Sequence, residues 1–220
     1  MKVTVSRKSV KNLTIRVVDA NNIAVTAPID MSNNTIKQFL ITKQGWIERK
    51  IKEKSIIYKE HSDIINSQTV LINGESLQLK KGDVPNVCCI NNSIILPNKK
   101  VEDVVSVQKE VDKYILHTAK NALPKLVAFW GTKMSLCPTA IKVKKLKSKW
   151  GSCNGDGEIV LNSKLLHLPQ ALAEYVVVHE LCHLKNLNHS DDFWQNVEYY
   201  LPNYAELRKS LKKYDFLTTI

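Results

Sequence analysis

The chain has 220 residues, 44% hydrophobic and 24% charged, which is close to average globular usage, excludes a disordered or fibrous protein, and allows one or two domains. Its formal charge of +11 favours an anionic partner such as nucleotide, nucleic acid or an acidic protein, although a solvated lysine surface is the simpler account. No window approaches the roughly 18 apolar residues of a membrane span, and five cysteines without a C-x-x-C pair argue against a disulfide framework or a cysteine zinc knuckle.

The opening "MKVTVSRKSVKNLTIRV" alternates apolar and polar positions and lacks the apolar core of a secretory signal, so it reads as strand. With free thiols and no membrane segment, the expected home is the cytoplasm. Residues 1–28 predict paired strands, with "DANN" as a turn before "IAVTA". From Ser32 the spacing of Ile36, Phe39, Leu40, Trp46 and Ile47 predicts one helix running past Gly45. Between about residues 68 and 96, "TVLINGESLQL", "NVCCI" and "SIILP" predict short strands joined at Asn-Gly and Lys-Gly-Asp turns. Val104, Val107, Val111, Ile115 and Ala119 then mark a helix that Pro124 bends or restarts. "TAIKVKKLKSKWGSC" and "EIVLN", separated by Gly155 and Gly157, predict a hairpin. Pro169 suits the first turn of a helix reaching about Leu187, and Ser190 with Asp191 and Asp192 marks the start of another, interrupted near Pro202. This order predicts an α+β protein: a β-rich N-terminal half with one helix, residues 1–102, followed by an α+β half, residues 103–220.

The stretch "YVVVHELCHLKNLNHSDDFW" concentrates the chemistry. On a helix, His179 and His183 lie one turn apart, about 40° from each other around the axis, so both imidazoles can reach one ion. A catalytic zinc needs three protein ligands and an open position, and His189 can supply the third if the helix breaks first. Asn186 and Asn188 tolerate the left-handed conformation that ends helices. Glu180 then sits beside the metal as general base towards a water whose pKa the ion lowers to about 7. A chain of this length carries H-E-x-x-H by chance about once in a hundred. Ala173, Val177, Leu181 and Leu184 form the core-facing stripe, and Cys182 reads as a small buried residue rather than a ligand. His61, His117 and His167 stand outside the constellation as surface or satisfied core groups.

From Lys147 to Trp194 the sequence closely resembles the YgjP-like metallohydrolase family, related to the SprT and WLM groups of zincin metallopeptidases. "WGSC", "I-x-LN", "YVVVHEL-x-HL" and "NHS-x-x-FW" occur in order, and "LTIRV", "IAVTAP" and "F-x-x-x-K-x-x-W-I" extend weaker similarity into the N-terminal half. The resemblance implies a zincin-like half with the H-E-x-x-H helix beside a small sheet, one zinc held by His179, His183 and His189, and Glu180 as acid/base. Metzincins are a poorer comparison, because Asn186 stands where they place glycine and no methionine follows His189.

The resemblance implies a peptidase-like centre, but also a nucleotide pyrophosphatase acting on UTP, so peptide and nucleotide substrates both stay open. In "KVKKLKSKWGSC", a strand would let Lys147 or Lys149 with Ser152 and Asn154 meet an oxyanion or phosphates. An edge strand guarded by lysines is the alternative. Trp150 is divided between packing and pocket lining, and Cys153 reads as a turn or core residue. A basic nucleic-acid-associated protein without catalysis is the remaining reading, and composition is silent on oligomeric state.

Overall fold

Strand β1 (Lys2–Lys8) runs parallel to β3 (Asn22–Pro28), and β2 (Thr14–Val17) pairs antiparallel with β3, in the order β1-β3-β2. The computed structural model describes residues 2–18, 21–60 and 68–218, so the predicted "DANN" turn lies partly, and His61 wholly, outside the described residues. The paired strands are there, although only β2 and β3 form a hairpin. Period-two alternation buries Ile23, Val25 and Ala27 on one face of β3. Helices α1 (Asn33–Thr42) and α2 (Gln44–Glu60) supply Ile36 and Ile47 to the same small core. The predicted single helix is therefore two, broken at Lys43, with Gly45 inside α2, and Trp46 is exposed rather than part of the stripe.

The second part begins with β4 (Thr69–Ile72), β5 (Glu75–Gly82), β6 (Cys88–Ile90) and β7 (Ser93–Pro97), in the order β4-β5-β7-β6. Asn73 and Gly74 both take positive φ, as the two-residue hairpin turn between β4 and β5 requires. Asn91 and Asn92 do the same between β6 and β7. Helix α3 (Val104–Met134) is capped by Asp103, whose side chain accepts from the Ser106 backbone N–H while the Ser106 hydroxyl accepts in return from Asp103. It runs through Pro124 without restarting, anchored on either side by buried Leu123 and Val127.

A third sheet, β8 (Ala140–Lys144), β9 (Gly151–Cys153) and β10 (Glu158–Asn162), has the order β8-β10-β9. Here β9 and β10 form the predicted hairpin, whereas β8 joins as an edge parallel to β10, and residues 145–150 are loop. A 3₁₀ turn (Ser163–His167) leads into α4 (Gln170–Cys182), followed by α5 (Asp191–Tyr200), α6 (Tyr204–Leu211) and a 3₁₀ segment (Lys212–Thr218). The architecture is α+β, with the H-E-x-x-H helix beside a small sheet.

By contacts the chain divides into units 1–62 and 63–220, whereas the sequence reading divides it after residue 102. The physical reason is how the first hairpin of the second unit is held. Backbone N–H groups of Asn73 and Gly74 donate to the carbonyls of Leu166 and His167 at 2.8 and 3.1 Å, and Nδ1 of His167 donates to the Leu71 carbonyl at 2.7 Å. These bonds fasten β4 and β5 to the turn just ahead of α4, and Val70, Leu77, Ile94 and Leu96 share one core with α3, β10 and α4. His167 is thus a satisfied core histidine, as its isolation in sequence suggests.

Candidate metal centre

Helix α4 is buried almost all round, from Leu172 to Cys182, because it lies between α3, the β9–β10 hairpin and the C-terminal helices. It ends at Cys182, with His183 as its C-cap, rather than near Leu187. The backbone tightens there: Leu184 N–H donates to Leu181 O and Lys185 N–H to Cys182 O, each at 3.0 Å. Neither Asn186 nor Asn188 takes a positive φ, so the left-handed stop expected of them is not used. What Asn186 contributes instead is its carbonyl, which accepts from Nδ1 of His183 at 2.9 Å. A carbonyl can only accept, so Nδ1 carries the proton and Nε2 of His183 keeps its lone pair free.

The chain turns through residues 184–190 and brings His189 back onto α4. The rings of His179, His183 and His189 form a nearly equilateral triangle with centroids 4.9, 5.0 and 4.8 Å apart. One nitrogen from each lies within 4.8 Å of the other two, and Nε2 of His179 and His189 are 3.1 Å apart. Two nitrogens each about 2.0–2.1 Å from one tetrahedral ion would stand about 3.3–3.4 Å apart, so the His179–His189 pair is already near a metal's spacing and the His183 nitrogen has to close from at most 4.8 Å.

Two residues from α5 fix this triangle. Phe193, fully buried, places its ring 4.9, 4.5 and 4.8 Å from the rings of His179, His183 and His189, stacking on His183 and meeting the other two edge-on. Trp194 stacks on His189 at 5.5 Å and on Tyr204 of α6 at 5.4 Å, and the Arg208 guanidinium lies 4.6 Å over the Trp194 ring. Burial, the neighbouring imidazoles and the Arg208 charge press the His179 pKa down to about 3, and burial with His183 and Arg208 lowers that of His189. Both rings are therefore neutral, with lone pairs to give.

Glu180 is buried on the side facing β9. A Cβ added to Gly151 would meet its Oε1 at 2.7 Å and its Cδ at 3.0 Å, so the carboxylate rests directly on glycine backbone. Burial pushes its pKa up to about 7, against the lowering effect of the Lys149 charge and of a hydrogen bond from the Cys153 backbone. A carboxyl group half-protonated near neutrality can both take and return a proton.

The four residues proposed to meet substrate have different settings. Lys149 lies in the exposed loop, and its charge reaches Glu180. Lys147 is exposed in the same loop, and no interaction among the described residues ties it to the centre. Ser152 alternates to the face of β9 opposite Gly151 and Cys153, away from Glu180. Asn154 is a turn residue: its side-chain oxygen accepts from Glu158 N–H at 2.8 Å, and its own N–H donates to the Glu158 carbonyl at 3.1 Å. Trp150 is packed, its indole N–H donating to Asp215 Oδ1 at 3.2 Å. Burial raises the pKa of Cys153, and that of Cys182 to about 12, which disfavours the thiolate at both.

Gly151, Phe193, Trp194 and Arg208 carry site geometry that the sequence reading assigned no role. The first three stand inside the quoted "WGSC" and "NHS-x-x-FW" motifs, so their motif membership was the available signal. Arg208 had none.

Three convergent imidazoles at a helix end, next to a buried carboxylate, are the arrangement of a metal-dependent hydrolase. The family comparison makes the class specific: the YgjP-like family, metallopeptidase domain, matches residues 11–214, and the chain belongs to it. Among solved structures, the metallopeptidase zymogen abylysin of Pyrococcus abyssi is 24% identical over 40% of this chain and 90% of its own, with a TM-score of 0.38. The zymogen jannalysin of Methanocaldococcus jannaschii is 20% identical over 41% and 94%, with the same TM-score of 0.38. No curated protein matches the chain. Among the described residues, no helix is long and apolar enough to cross a membrane.

Proposed function

We propose that the chain is a zinc-dependent peptidase in which His179, His183 and His189 hold one metal ion and Glu180 is the catalytic base. The observation that carries this reading is the convergence of the three rings, with two Nε2 atoms 3.1 Å apart and the third freed by the Asn186 carbonyl. Zinc suits a set of three imidazoles with one open corner, and when bound it supplies Lewis acidity, acidifying water to a pKa of about 7 and polarising a carbonyl. The chain's own residues do the rest. Phe193 and Trp194 hold the rings in place, and Glu180 accepts a proton from the attacking water and returns it to the departing amine. Arg208, a guanidinium without a carboxylate partner among the described residues, is the cation nearest in effect to His179 and His189. Its proposed role is to offset negative charge that develops on the substrate.

Lys149 favours a second reading. Its exposed charge acts on Glu180, and a cation there would equally serve the phosphates of a nucleotide such as UTP. Free cysteines at all five positions support a cytoplasmic location.

The test is metal analysis followed by incubation of wild type and Glu180→Gln with unstructured peptides and, in parallel, with UTP. Both proteins should carry about one zinc per chain, and only wild type should cleave peptide, the variant falling by about 10²- to 10⁴-fold. Pyrophosphate released from UTP without peptide cleavage would transfer the assignment to the second reading. Absence of metal from both proteins would remove the centre on which the two readings depend.

A further inference from the structure

The metal centre accounts for little of the chain's charge. Unit 1–62 holds 12 Lys and Arg against 5 Asp and Glu, a net +7, whereas the remaining 158 residues carry +4. Three of those 12 cations lie on one side of the N-terminal sheet β1-β3-β2. The helices cover Ile23, Val25 and Ala27, so the alternate residues of β3 and their register partners form the opposite face. On β1 these are Lys2, Thr4, Ser6 and Lys8, and on β2 they are Thr14 and Arg16, all six exposed. None of the three strands contains Asp or Glu, and Lys2, Lys8 and Arg16 have no ion-pair partner among the described residues. Arg7, by contrast, alternates to the covered side, where it donates to the Ile29 carbonyl and to Asn33 Oδ1 and holds the entry to α1.

Register gives the face its dimensions. Lys2 and Lys8 are six residues apart on one strand, about 20 Å, and Arg16 is opposite Ala24, which is opposite Thr4, so Arg16 stands two strands away, about 10 Å across. Ala24 and Thr26 on the middle strand keep the ground between the cations low and flat. There is no aromatic ring to stack a base and no large apolar side chain to enter a lipid layer. What remains is cations spaced around hydroxyl groups, which are donors for phosphate oxygens.

We propose that this face of the N-terminal sheet binds the phosphate backbone of nucleic acid without reading its sequence. The surface matches a repeating array of phosphates in charge, flatness and donor type. It shares no residue with the metal centre and does not depend on the peptidase reading.

The experiment is fluorescence anisotropy of the full chain with a labelled 20-nucleotide single strand and its duplex, across salt concentrations. Wild type should bind both at low salt, and the log–log salt slope for the single strand should be about −2, as expected for roughly three neutralised phosphates. Lys2→Gln/Lys8→Gln/Arg16→Gln should weaken binding at least about tenfold. Lys109→Gln/Lys120→Gln/Lys125→Gln, with the same charge removed from α3, should bind as wild type. On the unmodified protein, bound oligonucleotide should protect Lys2 and Lys8 from acetylation, a readout that needs no variant. Equal loss in both triple variants, no loss in the first, no binding at low salt, or tighter binding to phosphatidylserine vesicles than to the oligonucleotide would overturn the proposal.

Discussion

Gly151 determines where the Glu180 carboxylate can sit, because there is backbone where any other residue would place a Cβ at 2.7 Å from Oε1. Gly151→Ala is expected to leave zinc content unchanged and lower kcat by up to about a hundredfold, the cost of a base displaced by about an ångström. Metal analysis beside steady-state kinetics checks it, and loss of zinc would place the defect in the ligands instead. This contact could not be read from sequence, since 29 positions separate the two residues and nothing in either segment announces their approach. The imidazoles were legible for the opposite reason: helical spacing alone puts His179 and His183 on one face. Lys164 is a second buried group, its Nζ donating to the Leu217 carbonyl. Burial, helped by Lys145 and opposed by Asp112, lowers its pKa from 10.5 to about 8. Between those values the unfolded chain binds the proton and the folded chain does not, so this group adds stability as pH rises from about 8 to 10.5. Urea unfolding at pH 7.5 and 10 should show that gain in wild type and its absence in Lys164→Met.

The helices α5 and α6 position the site without supplying a metal ligand. Their amphipathic faces are visible in sequence, but which aromatic meets which imidazole depends on how the chain turns between Cys182 and Asp191. That turn uses the Asn186 carbonyl, a backbone atom every residue possesses, so its role carries no residue-type signature. Arg208 is equally silent, an exposed arginine on a short helix until Trp194 is found beneath it. Arg208→Met keeps the stem over the indole and removes the charge. We expect kcat to fall about tenfold or more with zinc retained, and Arg208→Lys to recover part of it. A change confined to KM would make Arg208 a group that binds substrate and transition state alike.

At the scale of the molecule, a ligand that binds only the folded chain stabilises it, by about 2.7 kcal/mol at a hundred times its Kd. Chelation should therefore lower Tm by about 5–10 °C, reversibly on adding zinc. Calorimetry should find the same shift in Glu180→Gln and none in His189→Ala. The division into units was the least legible feature, because strands 69–97 look like a continuation of the β-rich opening. The hydrogen bonds from Asn73 and Gly74 to the turn before α4, the His167 bond to Leu71 and the shared core reveal their allegiance. The segment Lys212–Thr218 is fastened in a similar way, through Asp215 to the Trp150 indole and through the Leu217 carbonyl to Lys164. Because Trp150 adjoins the glycine under Glu180, a protease that clipped this segment would loosen the base while sparing the imidazoles. Such a nicked molecule would still load its ion, yet turn over poorly, and zinc stoichiometry would be a misleading certificate of a competent preparation.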